Sequence, residues 1–256
     1  MTAARRTSEI AAGILPVTLV IALWHGIALS GIAPAVLLPP PGAVFTRLIA
    51  QAGDRQFLDH AGITLYRLFA AFSIAAVVGI TLGLAATGSR TVESLVKPLV
   101  RVLAPLPKVA LYPAMILILG FDDASKIALV AADAVFPILL ATYQGTAAVD
   151  TKLVWSARAA GCSARRALFT VVLMAALPSV LTGCRIGLII SCIVVFLAEM
   201  ITSTDGLGYL LVRAGRNFET VDMYVPLISI SILGLTLNAA FNALRAWLLR
   251  GFPEER

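Results

Sequence analysis

AGITLYRLFAAFSIAAVVGITLGLAA, residues 61–86, holds a single charge, Arg67, in 26 positions. As a helix rising 1.5 Å per residue it would be about 39 Å long, more than the roughly 30 Å hydrocarbon core of a bilayer. Working outward, five more stretches read the same way: residues 10–32, 100–119, 127–143, 177–201 and 224–249. The expected fold is an all-α polytopic membrane protein of about six transmembrane helices, one domain over residues 1–256.

Composition supports this. Of the 256 residues 59% are apolar and 13% charged, against about 45–50% and 25% in soluble domains. The same numbers exclude disorder, collagen-like repeats and a disulfide scaffold. The net charge of +6 comes from scattered basic residues with no run of five or more. That pattern points to loops meeting anionic lipid, and no nucleic-acid partner is expected. Cys162, Cys184 and Cys192 are far in sequence from His25 and His60. They read as small apolar filler, and no metal site is expected.

Arg5 and Arg6 precede the first apolar run, which is too long for a signal peptide and lacks a small-x-small cleavage site. It reads as an uncleaved first helix. An even number of spans puts both termini on one side. With the N-terminus inside, inner segments carry eleven basic residues: Arg5, Arg6, Arg90, Lys97, Arg101, Lys152, Arg158, Arg165, Arg166, Arg250 and Arg256. Outer segments carry five, Arg47, Arg55, Lys126, Arg213 and Arg216, and most of the loop carboxylates. Both termini are expected in the cytoplasm.

Pro39-Pro40-Pro41-Gly42 should end the first span, with a short amphipathic segment at 43–50 after it. Pro98, Pro105, Pro107 and Pro113 fall in or just before the third span. A helix so interrupted is either a plain kink or a broken helix beside a pathway, where cavity or protein satisfies the backbone. Gly79-x-x-x-Gly83 and Gly183-x-x-x-Gly187 allow close helix approach, within one chain or between two.

Ionisable groups within the spans are functional candidates. Arg185 and Glu199 are fourteen residues apart, about 21 Å along a helix, too far to pair with each other. Arg185 reads as a lipid or packing residue near the inner end, or a substrate contact. Glu199 either lines a pathway or ties down the segment 206–209. Asp133 is a pathway residue or a helix-to-helix hydrogen bond. Lys108 attracts an anion or, the better reading, snorkels to the headgroups. Gly120 to Lys126 lacks the second glycine of a phosphate loop. A membrane enzyme would need acidic or histidine clusters facing the headgroups, and none is seen.

Residues 147–176 form the longest polar break. Asp150 and Thr151 are helix caps, Leu153 to Ala160 is helical in composition, Gly161-Cys162-Ser163 breaks it, and Ser163 caps a second helix. There Leu168, Val171 and Val172 oppose Arg165 and Arg166. Such a hinged pair suits a partner's groove or the membrane surface.

The loop resembles the cytoplasmic EAA-type motif of binding-protein-dependent ABC importer permeases, a Glu-Ala-Ala with a Gly four residues after the last Ala. Ala157 and Gly161 match, as do Val171-Val172-Leu173. Pro178 matches a second proline often found in the nitrate/sulfonate/taurine-type subgroup. Trp155 stands where the motif has Glu, Ser156 at its first Ala and Met174 at its first Pro, so the acid's role does not carry over. Leu38 to Pro41, His60 to Arg67, Pro105 to Pro113, Asp123 to Ile127, Phe136 to Leu139, Leu181 to Arg185, Ala198 to Met200 and Gly206 to Tyr209 also resemble that subgroup, in the right order.

The resemblance implies a non-enzymatic importer permease of the bacterial inner membrane with a type I fold, working as a homodimer by alternating access. A coupling loop at about 147–169 would dock two cytoplasmic ABC ATPase subunits, through Trp155, Ser156, Ala157, Ala160, Gly161, Ser163 and Arg165. A periplasmic or lipoprotein binding protein would deliver a small solute, an organic anion such as a sulfonate or taurine, or nitrate. ATP would bind to the partner, with no cofactor on this chain. The alternatives are an importer of a vitamin-precursor pyrimidine and an ATP-independent transporter or channel.

Overall fold

The structure, a computed structural model, describes residues 3–32, 34 and 36–252. Every regular element among them is helical: α1 (Ala3–Ser30), α2 (Pro41–Ala52), α3 (Arg55–Gly88) and α4 (Arg90–Leu103). A 3-10 turn, Lys108–Leu111, leads into α5 (Tyr112–Leu119), followed by α6 (Asp123–Ala147). The long break holds α7 (Thr151–Ala159), α8 (Ala164–Ala167), a π-turn at Leu168–Val172 and α9 (Leu173–Ala175). Then come α10 (Leu177–Thr202), α11 (Leu207–Arg216) and α12 (Thr220–Leu248).

Four helices, α3, α6, α10 and α12, are long and apolar enough to cross a membrane. The proline-rich third stretch breaks between Leu103 and Lys108, where α4 and the following helix meet at 89°. Counted as one broken span, that pair makes five. The described apolar part of α1, Leu15–Ser30, is shorter than the about 20 residues a span needs. The expected six is therefore not reached among the described residues. The side chains of Arg5 and Arg6, and all of Arg256, lie outside them.

Helix α6 is the centre of the bundle, held between α3 and α10. The two small-residue motifs explain how. A Cβ at Gly83 would lie 2.7 Å from Thr142 Cβ, and one at Gly79 2.9 Å from Ile138 Cβ. From the opposite side, a Cβ at Gly183 would come 2.6 Å from Ala141 Cβ and one at Gly187 2.7 Å from Ile138 Cδ1. Both motifs thus close on α6 within one chain, letting the Ile138, Ala141 and Thr142 side chains and the carbonyls of α6 lie directly against the backbones of α3 and α10. Ala75, Ala134, Ile138, Val180 and Cys184 fill the core at this level. A larger cluster, including Leu68, Tyr112, Leu129, Val195 and Leu207, fills the half toward Asp123. Cys184 and Cys192 are buried and no disulfide forms, in keeping with their reading as filler.

By contrast α12 is apolar yet barely covered: Leu227, Ile232 and Leu235 are exposed. Beside it, α10 exposes Ile189, Ile193 and Leu197, leaving an apolar groove of about 540 Å³ between the two helices. In a soluble protein such a face would be untenable; against hydrocarbon or another apolar helix it is stable.

Candidate functional site

Functional side chains gather at the two ends of the bundle. At one end, where α3 begins, α6 begins and α10 finishes, Arg67 is 2% exposed and the Glu199 side chain is fully buried. The Arg67 Nε donates to Asp123 Oδ1 at 2.7 Å, and Nη1 donates to Glu199 Oε1 at 2.9 Å and Ser203 Oγ at 3.2 Å. Its Nη2 pairs with Asp205. One guanidinium thus ties three helical segments together, which its planar fork of five donors permits and a lysine would not.

Glu199 continues the network into α11. Its Oε2 accepts from the Gly208 amide at 3.0 Å and from the Thr64 hydroxyl at 2.9 Å. Thr64 Oγ1 in turn accepts from the Leu207 amide at 2.9 Å, and His60 Nδ1 accepts from the Gly206 amide at 3.0 Å. Three consecutive amides at the start of α11 are therefore satisfied by side chains of α3 and α10. The positive end of α11 also lies against a carboxylate. Gly206 has φ +94°, and a Cβ there would collide with the Glu199 carboxyl, so glycine is required on both counts. Of the two readings for Glu199, the geometry is that of a tie to the segment 206–209.

Lys126, 2% exposed, caps the turn before α6 by donating to the carbonyls of Phe121 at 2.6 Å and Asp122 at 3.3 Å. Burial alone would raise the carboxyl of Asp205, in the loop after α10, but hydrogen bonding and charge from Arg67, with Ser203, hold it below its ordinary value. Nearer the surface, Arg47 Nε donates to Asp222 Oδ1 at 2.5 Å, fastening α2 to α12.

Midway along the bundle, Lys108 does not snorkel. It is 8% exposed and pairs with Asp133 Oδ1 at 3.0 Å. Its Nζ also donates to the carbonyls of Ala104 at 3.1 Å and Leu106 at 3.4 Å. Prolines 105 and 107 cannot supply amide donors at the break, and the ammonium satisfies carbonyls left free there. An inward direction is favoured because Asp133 and the freed carbonyls of the break together supply the acceptors the ammonium needs. Asp133 is accordingly bound to its neighbouring helix segment. Arg185 donates from Nε to Asn238 Oδ1 at 2.8 Å, linking α10 to α12.

The opposite end carries the long loop. Asp150 caps α7 by accepting from the Lys152 amide at 2.9 Å, and Ser163 caps α8 by accepting from the Arg166 amide at 3.3 Å. Between them Gly161 adopts φ +84° in open space, the hinge its residue type permits. No residue of α7 is buried. Trp155 is 68% exposed, and Ser156, Ala160, Gly161, Ser163 and Arg165 are exposed too, with Ala157 half-buried. The loop is anchored at its far side, where Ala167 and Val172 are buried and Leu168 reaches to Gly88. It is held in place yet leaves its α7 surface unpartnered.

Reasoning along the chain missed Arg67, His60, Thr64, Asp123 and Asp205 as site residues. Arg67 itself was visible as the lone charge in a span, which by default marks function. Among the described residues no group of His, Cys, Asp and Glu is arranged to hold a metal ion.

Known proteins of the same construction exist. The chain is 31% identical to the putative aliphatic sulfonates transport permease protein SsuC of Bacillus subtilis (strain 168), over 93% of this chain and 86% of the relative. It is 30% identical to the taurine transport system permease protein TauC of Escherichia coli (strain K12), over 94% and 88% respectively. In shape it resembles an inward-facing structure of the MetNI methionine ABC transporter: TM-score 0.67 and 18% identity, over 75% of this chain and 96% of that one. Relatives of this kind are transport components rather than enzymes, and the family works with an ATPase and a substrate-binding protein. Residues 75–252 match the family described as binding-protein-dependent transport system inner membrane component, and the chain belongs to that family.

Proposed function

We propose that this chain is the membrane-spanning subunit of an ATP-driven importer for a small organic anion of the sulfonate or taurine type. The solute class is supported by the relatives, which are named for aliphatic sulfonates and taurine. The observation that carries the mechanism is the capped, hinged and uncovered helix pair α7–α8 at the end opposite the buried ion network. Two cytoplasmic ATPase subunits dock there on Trp155, Ser156, Ala157, Ala160, Gly161, Ser163 and Arg165. The basic residues of the inner segments support a cytoplasmic side for this end and for both termini. ATP binds to the partner, and this chain needs no cofactor. The apolar face of α10 and α12 is the surface offered to a second copy, and the pathway forms between the two.

Closing of the ATPase pair moves the loop. Because the loop is tied to the ends of α3 and α10 through buried side chains, that motion passes to the helices flanking α6. At the far end the Arg67 network keeps α3, α6, α10 and α11 together as one piece, so the bundle tilts rather than unravels. A binding protein delivers solute at that end.

The test is co-purification with the cognate ATPase subunit and binding protein in lipid. Taurine or an alkanesulfonate should raise ATP hydrolysis severalfold. Gly161→Glu, which is solvent-exposed and strains the hinge, should abolish that stimulation while leaving the basal ATPase rate intact. Unchanged stimulation in the variant would refute the docking role of the loop.

A further inference from the structure

Helix α4 covers a stretch that reads along the chain as an inner segment and only from residue 100 as the start of the third span. At 100° per residue, its seven apolar side chains from Val92 to Leu103 fall within about 160° of arc. Arg90, Glu93, Lys97 and Arg101 fall within about 80° on the opposite side. The bundle covers only part of that apolar arc: Val96 and Val100 face Leu139, Leu140 and Tyr143 of α6. Leu95, Leu99 and Val102 remain 68%, 53% and 63% exposed. No residue of α4 is buried.

Its placement is as telling as its pattern. The Tyr143 hydroxyl donates to Glu93 at 2.7 Å, which sets α4 against the last turns of α6, at the loop end. From there the chain turns by 89° into the segment that leads to Asp123 at the other end. A helix set at 89° to the segment leading to the far end, and packed near the end of the spans, has the placement expected of one in the plane of the membrane. Lys97 is engaged with Glu93 at 2.8 Å, whereas neither Arg90 nor Arg101 has an ion pair among the described residues.

We propose that α4 is an interfacial helix. Leu95, Leu99 and Val102 sit in the acyl layer of the leaflet at the loop end, and Arg90 and Arg101 hold phosphate oxygens of anionic phospholipid. Water would leave three large apolar side chains in solvent, and a protein partner would have to offer carboxylates beside an apolar patch. An anionic lipid offers both halves at the right depth, and the helix's three cations against one carboxylate complement it. The inference rests on the chain crossing a membrane, not on which solute it moves or how it meets an ATPase.

Two measurements on the full-length chain test it, the first in nanodiscs and the second in detergent. With Cys162→Ser as background, a nitroxide at Leu99→Cys should be accessible to oxygen and shielded from a water-soluble nickel chelate, with the reverse at Ser94→Cys. Retention of phosphatidylglycerol over phosphatidylcholine by the delipidated chain should fall about fivefold per cation removed in Arg90→Gln and Arg101→Gln. Arg101→Lys should keep most of it. Water access at both labels overturns the proposal. So does shielding from oxygen at Leu99→Cys with a short copy-to-copy spin distance, which would mean that protein covers the face. Equal phosphatidylglycerol retention in the double variant overturns the lipid assignment.

Discussion

The two ends of the bundle use charge in opposite ways. At the Arg67 end, two buried cations and three carboxylates from α3, α6, α10 and the loop before α11 are bound to one another or to backbone carbonyls. At the loop end, α7 and the start of α8 present Arg158, Arg165, Arg166 and Trp155 to the outside, and only the caps at Asp150 and Ser163 are satisfied from within. The closed end needs nothing further to hold its shape. The open end is stable as a scaffold but incomplete as a surface, as a docking site for a separate subunit should be.

The comparison is broken most directly at Arg67. Arg67→Ala leaves Glu199 buried and uncompensated, and should cost about 3–5 kcal/mol. Thermal unfolding of the purified chain in detergent should show a large fall in midpoint. Adding Glu199→Gln should recover part of it. A midpoint unchanged by Arg67→Ala would mean that the network does not hold this end.

A smaller effect is expected with pH. Asp205 is held below its ordinary value in the folded protein, so its ionised form contributes stability at neutral pH. That contribution is present above the unfolded value of about 3.9 and is lost as pH falls through the lower folded value. Unfolding midpoints measured from pH 6 down to pH 3 should drop less steeply in Asp205→Asn. Parallel curves would show that Asp205 gains nothing from Arg67.

The smallest effect on stability is expected at the open end. Trp155→Ala removes a side chain that is 68% exposed, so the midpoint should shift by no more than about 0.5 kcal/mol equivalent. The same variant should lose capture of the ATPase subunit. A large stability loss would show that Trp155 packs on the chain itself, and undiminished capture would remove it from the docking surface.

Much of this was legible along the chain because it depends on neighbours in sequence. Apolar length announces α3, α6, α10 and α12. Asp150, Gly161 and Ser163 announce a capped and hinged pair, since caps and left-handed glycines act within four residues. The prolines announce an interruption of the third stretch, as a kink or a break, while the direction of Lys108 and the count of six spans do not follow from them.

The ion network was not legible for the opposite reason. Arg67 is separated from Asp123 by 56 residues, from Glu199 by 132 and from Asp205 by 138. No periodicity links positions so far apart; only the packing of α3 and α10 on opposite sides of α6 brings them together. The glycine motifs show the same division. Their spacing promises close helix contact, yet whether that contact lies inside one copy or between two depends on which helix arrives, and α6 arrives. Sequence by itself determined that residues 61–86 and the other apolar stretches belong in a membrane, and where the hinged loop lies. Tertiary structure alone decided that Arg67 binds three carboxylates, that Lys108 turns inward, and that α4 turns by 89° from the segment that follows it. Hydrophobicity and local capping are properties of short segments. A buried charge survives only where distant segments converge to compensate it.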